Sequence, residues 1–112
     1  MAKYEKILKG NFNVILSTIE NGILNGSFSA TLEERSDFVC NGARCSVRVF
    51  ERYSWLGGNR VSLSVTLFQN DDRIFISAVS SGGSQAVLLK LNTFGEEAFL
   101  DKLKEIIEVY VI

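Results

Sequence analysis

At 112 residues the chain has the length of one ordinary domain and can bury a core without metal or disulfide staples. Its 46% hydrophobic and 22% charged residues exclude a disordered or fibrous chain, and 12 basic against 13 acidic residues leave no long-range field for nucleic acid or an anionic membrane. The absence of histidine removes imidazole acid–base chemistry, the Ser-His and Cys-His nucleophile pairs and most zinc catalysis. Two cysteines, Cys40 and Cys45, are too few for a structural zinc site or a secreted disulfide scaffold, and no cofactor is implied. The longest apolar run, AVLL, falls far short of a membrane span, and charges in MAKYEKILKG interrupt any signal-peptide core. The expectation is a single cytoplasmic domain over residues 1–112, more a binding module than an enzyme.

Residues 2–9, AKYEKILK, alternate Tyr4 and Leu8 with Lys3, Glu5 and Lys9, a charged strand suited to a sheet edge. From Asn11 or Asn13 as N-cap, Phe12, Ile15, Leu16, Ile19, Ile23 and Leu24 recur at helical spacing until Gly26 stops the helix. Gly22 weakens that helix without abolishing it.

Between residues 27 and 80 the period changes to two. Asn41-Gly42 is a strong hairpin signal that pairs Cys40 with Ala43 and Phe38 with Cys45. A three-residue loop at Leu56-Gly57-Gly58 would set Val47 and Val49 on the same face as Val61, Leu63, Val65 and Leu67, whereas a two-residue Gly-Gly turn would oppose them. A turn at Asn70-Asp71 would pair Leu67 with Ile74 and Val65 with Ile76. On that register Phe28, Ala30, Leu32, Phe38, Cys40, Cys45 and Tyr53 join the buried face. The last helix opens on a capping box, Thr93 with Glu96, and continues through Phe99, Leu103, Ile106, Ile107 and Tyr110, preceded by residues 86–91 as strand or helical turn. The elements predict an α+β fold: a single antiparallel sheet in the order strand, helix, four strands, helix, with both helices on one face.

That order resembles the β-α-β4-α plan of TATA-binding-protein-like folds, a likeness of topology that carries no function. The strings RCSVRVFERYSWLGGNRVSL and SSGGSQAVLLKLNTFGEEAFL resemble those of a family of small uncharacterised proteins from Gram-positive bacteria, a domain of unknown function. The resemblance implies bacterial origin and one domain, and it brings no catalytic residues.

Three places invite function. The run Ser80 to Gln85 follows a strand as phosphate loops do, but its spacing fits neither the Walker nor the dinucleotide pattern, so it reads as a strand-to-helix connection. Glu51 falls on the helix-covered face of the expected register, where a desolvated carboxylate is the default candidate for ligand binding; either it is buried there, with Tyr53 and Trp55 at a cavity mouth, or a bulge turns it to water. The other face would carry Arg48, Arg52, Phe50, Phe68 and Phe75. Acids at Glu33 and Asp37 offset the arginines and argue against RNA, and an uncovered aromatic face argues for a homo-oligomer interface. Cys40 and Cys45 pack as small apolar residues. The expectation is a self-associating module without nucleic-acid or membrane partners; the alternative is a binder or weak enzyme for a small apolar ligand, using a cavity between sheet and C-terminal helix.

Overall fold

A computed structural model of the chain describes residues 1–54, 59–82 and 89–112, with side chains from residue 95 onward in the last segment. Its elements are β1 (Ala2–Leu8), α1 (Phe12–Gly26), β2 (Thr31–Cys40), β3 (Ala43–Ser54), β4 (Asn59–Asn70), β5 (Arg73–Gly82) and α2 (Leu89–Ile107), closed by a 3-10 turn, Glu108–Tyr110. The strands form one antiparallel sheet in the order β1-β5-β4-β3-β2, which makes the fold α+β.

Asn11 caps α1, its Oδ1 accepting the Val14 N–H at 3.0 Å, and Phe12, Ile15, Ile19 and Ile23 form the buried stripe. Gly22 has a packing reason: a Cβ there would meet the Ile106 side chain of α2 at 2.7 Å, so glycine lets the two helices approach. α2 starts at Leu89, earlier than its capping box predicts. Thr93 and Glu96 therefore lie inside the helix, residues 89–91 are helical, and the expected extended piece at 86–88 lies outside the described residues.

The hairpins decide which side chains face the core. Asn41 and Gly42 take φ 50° and 82° and pair Cys40 with Ala43, the predicted turn. The β4–β5 turn sits one residue later than expected, at Asp71-Asp72 with Asn70 opposite Arg73; Leu67 then pairs with Ile76 and Val65 with Ala78, and the apolar faces stay together. The β3–β4 register is the main correction. Ser54 pairs with Asn59 and Phe50 with Leu63, so Val47 and Val49 point away from Val61, Leu63, Val65 and Leu67. The three-residue loop itself lies outside the described residues, but the flanking pairs exclude its register. A bulge at Glu33 changes the parity of β2: Leu32 faces the core, while Phe38 and Cys40 do not.

The core joins Leu8 of β1, the α1 stripe, Phe50, Val61, Leu63, Val65, Leu67, Ile74, Ile76 and Ala78 of the sheet, and Phe99, Leu100, Leu103 and Ile107 of α2. Phe50 is 0% exposed, which removes it from the uncovered face. Its neighbours along β3 on the core side are Arg48 and Arg52, so both arginines also leave that face. Arg48 is 4% exposed and held at three points. Its Nε donates to Glu20 Oε2 at 2.5 Å, its Nη2 lies 3.0 Å from Asp37 Oδ1, and its Nη1 donates to the Val47 carbonyl at 2.9 Å. Burial pulls the guanidinium's pKa down, but bonds to Glu20 and Asp37, with their charges, outweigh it and hold it above its ordinary value. Ser46 donates to Asp37 at 2.6 Å, and that bond, against some desolvation and helped by Arg48, keeps the Asp37 carboxyl below the usual aspartate value.

Candidate functional site: the open face of the sheet

Residues directly opposite in an antiparallel ladder point to the same side, so the register maps the face away from the core. Ile7 sits beside Phe75, Phe75 beside Phe68, Phe68 beside Cys45, and Cys45 beside Phe38. These five side chains make one apolar row across every strand, roughly 19 Å long at the usual strand spacing. Phe38 is 66% and Phe68 38% exposed. Behind the row the face becomes small and hydroxylated in β4 and β5, with Ser62, Ser64, Thr66 and Ser77, while Val79, Val47 and Val49 continue the apolar surface. Four of its charges pair within the face: Lys3 with Glu5 at 3.9 Å, and Arg60 with Glu51 at 3.2 Å.

Of the residues expected here, Phe68 and Phe75 lie on this face, and Phe50, Arg48 and Arg52 lie on the other. Glu51 is not on the core side. It is part-exposed on the open face, accepting from Arg60 and, at 3.4 Å, from Ser62. Tyr53 shares its face and is 40% exposed; Trp55 lies outside the described residues. Cys40 is exposed and Cys45 half-buried, both free, so neither is a core residue. In the glycine-rich run, Ser80–Gly82 belong to β5 and the remainder lies outside the described residues. The Gly82 N–H donates to Glu96 Oε2 at 2.6 Å, and Glu96 Oε1 lies 2.5 Å from the Met1 amine, so the protein's own carboxylate takes the donor a phosphate would need.

Hollows lie at both the edge and the end of the sheet. One of about 1190 Å³ runs along the end of β1 past Ile7, Lys9, Arg73, Phe75 and Ile112, next to the apolar row. A smaller one of about 350 Å³ lies between the end of α1, the end of β3 and α2, lined by Ser27, Ser29, Arg52, Tyr53 and Ala98. It occupies the place expected for a cavity between sheet and C-terminal helix, and Glu51 is not part of it.

Ile7, Phe38 and Cys45 were missing from the expected face. The hairpin pair Phe38–Cys45 was readable from Asn41-Gly42, but the assumed β3–β4 register sent both inward, and nothing local to β1 announces that it docks beside β5. Residues 1–111 match the model of a family described as a family of unknown function, DUF6054. The chain belongs to that family. Membership agrees with an uncharacterised domain family and assigns neither activity nor site residues. No curated protein matches the chain. Among the described residues, no helix is long and apolar enough to cross a membrane.

Proposed function

We propose that the protein is a non-catalytic interaction module that self-associates through the open face of its sheet. The observation that carries this reading is the unbroken row Ile7, Phe75, Phe68, Cys45 and Phe38 on a face with no place in the hydrophobic core. The occupant is a second copy. Five strands of ten or so residues offer a face of roughly 800 Å² per copy, the size a standard stable interface needs on each side. Glu51 pairs with Arg60 and Lys3 with Glu5 within the face, so closing it on an identical one leaves those four charges with partners. Two such sheets would stack about 10 Å apart as an intermolecular sandwich.

In this reading both helices cover the core side together, in the manner of TATA-binding-protein-like folds, and the protein works in the cytoplasm of a Gram-positive bacterium without nucleic-acid or membrane partners. Light scattering tests the association: the wild type should weigh twice the 12.5 kDa of one chain. Phe75→Glu should weigh one chain with an unchanged circular dichroism spectrum. A monomeric wild type at 0.1 mM and above, a concentration about a hundredfold over a micromolar Kd, overturns the proposal.

A further inference from the structure

The smaller hollow holds a cation that no carboxylate of the described residues neutralises. Arg52 projects from the core side of β3, with its guanidinium 4.5 Å from the centroid of the fully buried Phe99 ring. It makes one hydrogen bond, Nη1 to Ser27 Oγ at 2.9 Å, and among the described residues no carboxylate lies within ion-pair distance. An arginine carries five N–H donors, so four have no acceptor among the described residues. The contrast with Arg48, four residues earlier on the same side, is direct: Arg48 has two carboxylates. Desolvation lowers the Arg52 pKa without an opposing anion. The C-terminal end of α1 at Gly26 gives a weak negative field nearby, yet among the described residues no helix carbonyl accepts from the guanidinium.

The hydroxyls beside it are oriented for the same task. Ser27 Oγ already accepts from Arg52, and Ser29 Oγ accepts the Tyr53 N–H at 2.7 Å. With their oxygens so engaged, each hydroxyl hydrogen remains to donate. The rest of the wall is apolar or small: Phe28, Gly95 and Ala98, with Phe28 fully exposed at the rim. Gly95 is needed where α2 passes Ser54, because a Cβ there would meet Ser54 Oγ at 2.5 Å.

We propose that this hollow binds a small carboxylate with an apolar tail, the carboxylate held by the Arg52 fork and the Ser27 and Ser29 hydroxyls, the tail lying against Phe28 and Ala98. A planar guanidinium matches a carboxylate in bidentate geometry, and removing both charges from water strengthens the pair once the tail closes the mouth. The site is separate from the open face and stands whether or not the protein self-associates.

The probe is hexanoate, titrated into the full chain while the Arg52 Nε–Hε and Ser29 backbone amide resonances are followed, with 1-hexanol and hexylamine as neutral and cationic controls. Hexanoate should shift both resonances saturably, the controls should bind at least tenfold more weakly, and Arg52→Met, which keeps the contact with Phe99, should lose at least tenfold in affinity. Should Arg52→Met fail to fold, Phe28→Ala serves, being fully exposed in the free protein; it should weaken hexanoate about tenfold, the lower end of what a lost apolar contact is worth. No saturation by about 50 mM hexanoate, far above the millimolar Kd expected of so small a ligand, overturns the proposal. So does equal binding of hexanoate and hexylamine, or of hexanoate to wild type and variant.

Discussion

Along β3 the two sides of one strand depart from the usual alternation in opposite directions. Toward the core it sends Ser46, Arg48, Arg52 and Ser54 around a single Phe50; away from the core it sends Cys45, Val47, Val49 and Tyr53 beside a single charge, Glu51. On β4, by contrast, Val61, Leu63, Val65 and Leu67 point in and Ser62, Ser64 and Thr66 point out. The difference teaches that partners, not hydropathy, decide which residues a strand can bury. Glu20 and Asp37 make an inward Arg48 tolerable, Phe99 and Ser27 do the same for Arg52, and the open face gains apolar surface in exchange.

The contrast breaks most visibly at Phe50 and Val49, neighbours on opposite sides. Phe50→Ala should cost about 3–5 kcal/mol by chemical denaturation, as deletions of fully buried aromatics do, while Val49→Ala should cost no more than about 1 kcal/mol. Equal costs would mean the register is wrong. Arg48→Ala comes next, at about 2–3 kcal/mol, toward the low side of losses from breaking buried pairs because Asp37 and Glu20 keep some solvent. In the Arg48→Ala/Glu20→Gln double variant the costs should fall well short of additive, since Glu20 has then lost its partner already.

Asp37 gives a pH signature of the same cluster. Its folded pKa lies below the ordinary value of 3.8, so the unfolded chain takes up the proton first, and the contribution to stability present above that value is lost as pH falls below it. Stability measured between pH 5 and pH 3 should fall less in Asp37→Asn than in wild type. At the bottom of the scale, Glu51→Gln on the open face should change stability by no more than about 0.5 kcal/mol, the worth of an exposed ion pair. A loss several times larger would restore Glu51 to a buried position.

How far the sequence reaches follows from the range of the forces involved. The α1 stripe and its Asn11 cap, the charged β1, the Asn41-Gly42 turn and the inward faces of β4 and β5 are local patterns and were readable. The orientation of β3 was not, because it depends on Glu20, 28 positions upstream of Arg48, and periodicity treats any arginine as outward. The bulge at Glu33 has no glycine to announce it, so the shift that turns Phe38 outward was equally hidden. Of the expected trio Phe50, Phe68 and Phe75, the last two lie on the open face and Phe50 in the core; Ile7 and Phe38 needed the strand order and the bulge. Arg52 was assigned to the wrong face for the same reason as Arg48, and the hollow it lines needs α1, β3 and α2 to be assembled first.

Cys45 lies within the apolar row and reports on the face directly. In a Cys40→Ser background, the rate of Cys45 alkylation should be measured across protein concentrations that span the change in solution mass. The account predicts alkylation that slows as the mass doubles, and a rate that no longer depends on concentration once Phe75→Glu is added. A Cys45 rate that stays constant while the mass doubles would place the interface elsewhere and contradict the account.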